Sequence, residues 1–351
     1  MKKIAIFQRD LLVGGIQKSL INFLQQIDKN KYEIDLFLFD EKNFFNQKIP
    51  KEVNIIYQKK SPFFSKFIYF DLLKKIKKNK YSNKEYDVAI DFDSYQFDTA
   101  FGAISVNAKK RVLWIHNDIK IKLKNEFKYR VLHYFFRGKY KYFDEYVAVS
   151  KGIVEPFRET NKIYGKKIYV IPNYINAQEI IDKSNESTDL KINKNIYNLV
   201  SVGRICHQKG FDILLEYMQE IIKNRQDIHL YLIGDGPDRK IIERIIKKNS
   251  LGQHVTLLGN QNNPFKYLKE MDGFVLTSRY EGQGMVIIEA MCLGLDIFIC
   301  KHLEKYNENI TGYENIVEAI TKATKKEVKK INNLEEYNNN ITKKIEELLE
   351  K

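Results

Sequence analysis

Cysteine is scarce in this chain of 351 residues: there are three, Cys206, Cys292 and Cys300. An odd number, without the paired spacing of a zinc site, excludes a disulfide framework and a cysteine-bound metal, and makes a reducing cytoplasm the expectation. Long apolar runs are missing as well. The first, Ile4-Ala-Ile-Phe7, is far shorter than a signal-peptide core. No later run nears the roughly 18 to 20 apolar residues of a membrane-spanning helix. Nor is there an internal repeat at a fixed period, so any two halves are related in architecture only.

What is present fills two cores. A mass of 41.6 kDa exceeds one ordinary domain, and 44% hydrophobic with 13% aromatic residues suffices for two globular units. The net charge of +14 is unevenly placed: residues 1–175 hold 34 Lys/Arg against 19 Asp/Glu, leaving 25 against 26 for the remainder. Any anionic surface this chain meets is met by its first half.

The opening reads as a strand over Lys3–Phe7, a glycine turn at Val13-Gly14-Gly15, and a helix from Ile16 to Leu24 with apolar residues at helical spacing. Further buried strands are expected at Glu33–Phe39, Val88–Ile90, Arg111–His116 and Tyr146–Ser150. The pattern lapses between Pro172 and about Asn195, which reads as an interdomain linker. A second alternating series follows, with strands at Leu199–Gly203, His229–Gly234, Val255–Gly259, Gly273–Thr277 and Ile297–Ile299, and the last residues form a charged amphipathic helix. Alternation of this kind implies parallel sheets covered on both faces, with ligands at the carboxyl ends of the strands.

Candidate chemistry gathers at those ends. Gly203-Arg-Ile-Cys-His-Gln-Lys-Gly210 joins a strand to a helix, so Arg204 and Lys209 lie beside a helix N-terminus that also favours an anion. A diphosphate suits this place, although two cations in a surface loop read the same way. Glu281 sits in the loop Tyr280-Glu-Gly-Gln-Gly-Met285, where Gly282 and Gly284 permit close backbone approach. A helix then runs from about Met285 to Leu293 and stops at Gly294. Glu289 lies on that helix among Met, Val, Ile and Ala, and a buried carboxylate needs donors. Sugar hydroxyls would serve, and so would a structural Lys or Arg. His116 ends an apolar strand, either as a packed core histidine or as a site residue. Asp91-Phe-Asp93 has the acid-x-acid form of a metal motif, but nothing nearby completes an oxygen-rich site, and it reads as a strand-end loop. Residues Lys59–Lys78 and Lys120–Lys139 mix Lys and Arg with Phe, Tyr and Leu, as an interfacial segment or an ordinary solvated helix would.

In this order, Gly14-Gly15, His116, Tyr146–Ser150, Ile171-Pro-Asn173, Gly203-Arg204 with Lys209-Gly210, Leu232-Ile-Gly-Asp-Gly-Pro237 and Glu281 with Glu289 resemble the retaining glycosyltransferases of family 4 over nearly the whole chain. The resemblance implies an α/β GT-B fold: two Rossmann-like, doubly wound parallel-sheet domains facing across a cleft. Residues 1–173 would be the acceptor-binding domain and 174–332 the donor-binding domain, with a closing helix at about 333–351 packing back on the first. It further implies that Arg204 and Lys209 hold the diphosphate of a nucleotide sugar, that Glu289 binds the ribose, and that Glu281 contacts the donor sugar. The backbone of Gly203 and of Gly282, Gln283, Gly284 and Met285 would line the donor pocket, His116 would bond the transferring sugar, and Gly14 and Gly15 would approach the phosphates.

The implied reaction is transfer of a hexose from a nucleotide-diphosphate sugar, with UDP the family's frequent choice, to a glycan or lipid-linked acceptor of cell-surface polysaccharide. The anomeric configuration would be retained, the departing phosphate oxygen would take the acceptor's proton, and no metal or other cofactor would be needed. The basic first domain would lie on the inner face of the cell membrane. Alternatives are a GT-B nucleotide-sugar epimerase, a catalytically inactive partner subunit, and a nucleic-acid-binding protein suggested by the pI of 9.3. That last reading leaves Glu281 and Glu289 without a role. After Cys300 the chain is shorter than the family pattern, and how the sheet edge ends there is an open question for the structure.

Overall fold

The computed structural model describes residues 1–12, 14–41, 48–62, 67–68, 70–72, 81–325 and 334–351. The chain divides into two compact units, Met1–Tyr174 with Glu336–Lys351, and Ile175–Glu335.

In the first unit, β1 (Lys2–Gln8), β2 (Tyr32–Leu38), β3 (Asn54–Tyr57), β4 (Glu85–Asp91), β5 (Asn107–Ile115), β6 (Glu145–Ala148) and β7 (Ile168–Val170) form one parallel sheet in the order β3-β2-β1-β4-β5-β6-β7. The central strands read as near-continuous apolar runs, as strands covered on both faces must: Ile4, Ala5, Ile6 and Phe7 of β1 are wholly buried. Helices α1 (Gly15–Gln26), α2 (Phe97–Ser105), α3 (Ile119–Asn125), α4 (Phe127–Phe136) and α5 (Val154–Asn161) follow strands of this sheet. Aromatic rings fill much of the core. Phe7 stacks on Phe37 at 4.5 Å, and Phe92 lies against Trp114 at 5.0 Å and against His116 at 4.8 Å.

The second unit has a five-stranded parallel sheet, order β10-β9-β8-β11-β12, from β8 (Tyr197–Val202), β9 (Ile228–Ile233), β10 (Val255–Gly259), β11 (Gly273–Leu276) and β12 (Asp296–Ile299). Its helices are α6 (Ala177–Ser184), α7 (Phe211–Asn224), α8 (Arg239–Lys248), α9 (Phe265–Leu268), α10 (Met285–Cys292) and α11 (Ile316–Thr321). The closing helix α12 (Leu334–Glu350) buries Ile341, Ile345, Leu348 and Leu349, one stripe at helical spacing. It is fastened to the first unit by Lys2 Nζ donating to Leu349 O at 2.9 Å and Tyr337 hydroxyl donating to Asn173 O at 3.1 Å.

Most expected strands are present, displaced by a residue or two at their ends. Strands β3 and β7, with four and three residues, escape a reading based on apolar runs. The stretch expected as a linker, Pro172 to about Asn195, is a linker only in part. Asn176 accepts from the Glu179 amide at 3.1 Å and starts α6, which packs on α9 and α10 within the second unit. An Asn N-cap gives a short polar helix a start that periodicity alone does not reveal. The first unit ends at Tyr174, with the Asn22 amide donating to the Tyr174 carbonyl at 2.8 Å.

Beyond Cys300, where the chain is short, a 3-10 turn over Lys301–Tyr306 replaces a further strand. The edge closes with a single bridge between Cys300 and Tyr313. Of the basic aromatic segment Lys59–Lys78, residues 63–66, 69 and 73–78 lie outside the described residues, as do Val13 and residue 333 of the expected closing helix. Among the described residues no helix is long and apolar enough to cross a membrane.

Candidate functional site

In each sheet the strand order reverses between two neighbours, β1 and β4 in the first unit and β8 and β11 in the second. Loops leaving the carboxyl ends on either side of such a point diverge and leave room for a ligand. The site residues read from the sequence fall at these two places, except His116, which lies one strand further along, at the end of β5.

In the second unit, β8 leads through Gly203–Gly210 into α7, and β11 leads through Thr277–Gly284 into α10. Lys209 lays its aliphatic stem over Gly203, where an added Cβ would stand 3.5 Å from the lysine chain. Its Nζ donates to Glu281 Oε1 at 2.7 Å, so the cation from one loop and the acid from the other form a pair shielded from solvent. Arg204 differs: it is exposed and has no hydrogen-bond or ion-pair partner among the described residues. Glu289 is buried on α10, a helix whose other side chains are apolar.

The two loops are tied together behind these groups. Arg279 forms a two-pronged pair with Asp212, at 2.9 and 2.6 Å, and donates to His207 O at 2.7 Å. The Arg279 amide donates to Gln208 O at 2.8 Å, and the Gln208 side chain donates to Tyr280 O at 3.1 Å. Thr277 Oγ1 donates to Gly210 O at 2.9 Å. The pair with Arg279 holds the Asp212 carboxyl below its ordinary range through that hydrogen bond. Gly210 has φ +64 and lies so close to the Thr277 carbonyl that a Cβ would collide with it. Gly234, at φ +139, abuts Gly203 O in the same way, which explains the first glycine of Leu232-Ile-Gly-Asp-Gly-Pro237. From the segment after Cys300, Asn307 accepts from the Gly284 amide at 3.0 Å and His302 Nε2 lies 2.9 Å from Ser278 O. The shortened segment therefore anchors the glutamate loop.

In the first unit, Gly14 is the N-cap of α1 with extended backbone, and Gly15 opens the helix with open space at its Cβ position. His116 follows β5, with its ring tilted against Phe92, and its buried Nε2 has no hydrogen-bond partner among the described residues. Burial lowers its pKa to about 3, against a hydrogen bond to the Phe92 backbone that acts upward, so the ring is neutral near pH 7. A neutral imidazole with an unused nitrogen suits a sugar hydroxyl better than a proton relay.

The structure thus brings Gly203, Lys209 and Glu281 together, with Arg204 in the same loop as Lys209, and Gly282, Gln283, Gly284 and Met285 in the same loop as Glu281. It places Glu289 one turn into the helix that follows. His116, Gly14 and Gly15 belong to the other unit. Arg279, Asp212, Gln208 and Asn307 were not legible, because each acts through a partner remote in sequence.

The family model described as "Glycosyl transferases group 1" matches residues 182–348, and "Glycosyltransferase Family 4" matches residues 13–179. The chain belongs to the GT-B glycosyltransferases of the family 4 type. The transferase is 27% identical over 194 residues to an uncharacterized glycosyltransferase of Methanocaldococcus jannaschii, covering 54% of this chain and 48% of that protein. Over 317 residues it is 26% identical to the N-acetylgalactosamine-N,N'-diacetylbacillosaminyl-diphospho-undecaprenol 4-alpha-N-acetylgalactosaminyltransferase of Campylobacter jejuni, covering 86% of this chain and 81% of that one. Among solved structures, Anabaena HepE in complex with UDP and glucose superposes with TM-score 0.68 over 100% of both chains at 16% identity, a likeness of fold.

Proposed function

We propose that the transferase takes a hexose from a UDP-sugar and passes it, with retained configuration and without a metal, to a glycan or lipid-linked acceptor of the cell surface. The observation that carries this reading is the switch point of the second unit. There the exposed cation Arg204, a partly shielded Lys209–Glu281 pair and a buried Glu289 lie on or beside glycine-rich loops. A diphosphate would draw on Arg204 and Lys209, ribose hydroxyls on Glu289, and the donor sugar on Glu281 once Lys209 turns towards phosphate. These groups would stabilise the charge that grows on the departing phosphate, the role for which fixed donors in a dry site are most effective. His116 Nε2 is available to a hydroxyl of the transferring sugar. Support for UDP comes from the HepE complex, and support for a lipid-linked glycan acceptor from the Campylobacter relative.

For the membrane, the supporting feature is the exposed side of α4. Phe127 and Tyr134 are 71% and 51% exposed, and the guanidinium groups of Arg130 and Arg137 lie 5.4 and 5.0 Å over their rings. Aromatic rings with arginines beside them match an anionic headgroup layer.

Calorimetric titration of UDP, GDP and CMP in excess EDTA tests the reading. Selective binding of UDP, weakened in Glu289→Ala, is expected. Binding of no nucleotide by folded protein would refute the donor site, and strict metal dependence would refute the metal-free route.

A further inference from the structure

The switch point of the first unit carries a second constellation, and the Asp91-Phe-Asp93 loop is its centre. Asp93 stands just past β4 beside Gln8, the last residue of β1, whose Nε2 donates to Asp93 Oδ2 at 3.3 Å. Among the described residues, wholly buried Gln8 has no partner for its Oε1, and buried Asp91 accepts from the Ser94 amide at 3.1 Å through Oδ1 while its Oδ2 has none. The buried Ser94 hydroxyl makes no hydrogen bond of good geometry among the described residues, on a backbone at φ +51 that is uncommon for serine. Buried polar groups in folded proteins are nearly all bonded, so three orphaned atoms at one strand end need a reason.

The loop is held in place from beneath. Lys139 is wholly buried on the turn after α4, and its Nζ donates to Ser94 O at 2.5 Å and Gln96 O at 3.2 Å. Asp93 itself is 5% exposed, and no hydrogen bond reaches its Oδ1 among the described residues.

We propose that Asp93, backed by Gln8 and Asp91, is a hydroxyl-binding subsite for the sugar acceptor at the switch point of the first unit. The ligand class follows from charge. Asp91, Asp93 and the nearby Asp10 repel a phosphate, and the Lys139 ammonium beneath the loop opposes a metal ion. A neutral polyol remains, donating to Asp93 Oδ1 and accepting from the Gln8 amide if that group turns. The ionisation of Asp93 supports this. Burial, then Asp91 and Asp10, raise its pKa to about 7, while Arg9 and Lys139 act downward. The carboxyl therefore changes its hydroxyl-accepting strength within the working pH range.

This inference rests on the transferase reading above, and its test separates the two. Methyl glycosides of glucose, galactose, N-acetylglucosamine and N-acetylgalactosamine are titrated by ligand-observed NMR, with and without saturating UDP, into wild-type protein, Asp93→Ala and Asp93→Asn. We expect at least one glycoside to bind the wild type, more tightly at pH 8 than at pH 6. Asp93→Ala should weaken it by on the order of 10-fold, the loss of one charge-assisted hydrogen bond. The near-isosteric Asp93→Asn should bind with intermediate strength and equally at both pH values, a change that a purely structural role would not produce. UDP affinity, read separately by calorimetry, should stay unchanged in both variants. If no glycoside binds the wild type, or if both variants bind as the wild type does at both pH values, the subsite is overturned. Failure of UDP binding alongside Asp93-dependent glycoside binding would refute the donor reading and leave the subsite standing.

Discussion

The two units place loops at the same topological position and fill it with opposite chemistry. Between β8 and β11 the groups are a free arginine, a lysine paired to a glutamate, and backbone opened by glycine, with the two loops bonded to each other through Arg279, Asp212 and Gln208. Between β1 and β4 they are carboxyls and an amide held in the interior, with orphaned oxygens and a buried lysine below. A doubly wound sheet decides where a ligand lies but not what it is. Cations beside a helix start favour an anion, whereas buried carboxyls with unused oxygens favour hydroxyls. One fold, used twice in a chain, thereby presents two sites of different chemistry.

The largest effect should come from the charged half of this comparison. Arg204→Ala should lower kcat by on the order of 10²- to 10³-fold, the scale for losing one transition-state donor, with thermal stability unchanged because the side chain is exposed. A loss below tenfold in steady-state turnover would remove Arg204 from the reaction. Glu289→Ala should weaken UDP by roughly 1 to 3 kcal/mol; an unchanged affinity in calorimetry would make Glu289 a structural residue.

The acidic half should answer to pH. The fold favours protonated Asp93, with a pKa of about 7 against an ordinary 3.8. Its contribution to stability is therefore full below 3.8 and lost as pH rises through 7. Stability should fall over that window by at most about 1.4 kcal/mol per pH unit, and Asp93→Asn should flatten the curve in urea titrations. Lys139, lowered to about 8 by burial, works in the other direction: its contribution is full above 10.5 and lost as pH falls through 8. A wild-type curve that is flat between pH 4 and 7 would contradict the buried acid.

The smallest effects concern the supports. Arg279→Lys removes the two-pronged contact with Asp212 and should cost about 1 kcal/mol of stability, with a few-fold weaker UDP. An equal loss in Asp212→Asn would trace both to the same contact, and no loss in either by thermal melting would show that the loops stay together without it. On α4, Phe127→Ser with Tyr134→Ser should reduce sedimentation with anionic vesicles at low salt and leave UDP binding untouched; unchanged sedimentation would move the membrane contact elsewhere.

Much was legible without coordinates. The alternation of apolar runs with helical segments identified two parallel sheets, because a strand covered on both faces must be apolar throughout. Gly282 and Gly284 were read as points of close approach, and Gly284 does sit tight against Ile287 and Asn307. The positions of Arg204, Lys209, Glu281 and Glu289 followed from their places after strands. Residues such as Asn176, starting a helix within an apparent linker, were misread because one cap outweighs a weak local pattern.

Only tertiary structure paired Lys209 with Glu281, brought Arg279 to Asp212 between neighbouring loops, lodged Asn307 against Gly284, and turned the Asp91-Phe-Asp93 triplet from a metal-like motif into buried acids over Lys139. The reason is physical. Periodicity and turn chemistry act over a few residues and are written along the chain. Ionisation, pairing and orphaned atoms depend on which loops the strand order makes neighbours, and that order is decided when the sheets assemble.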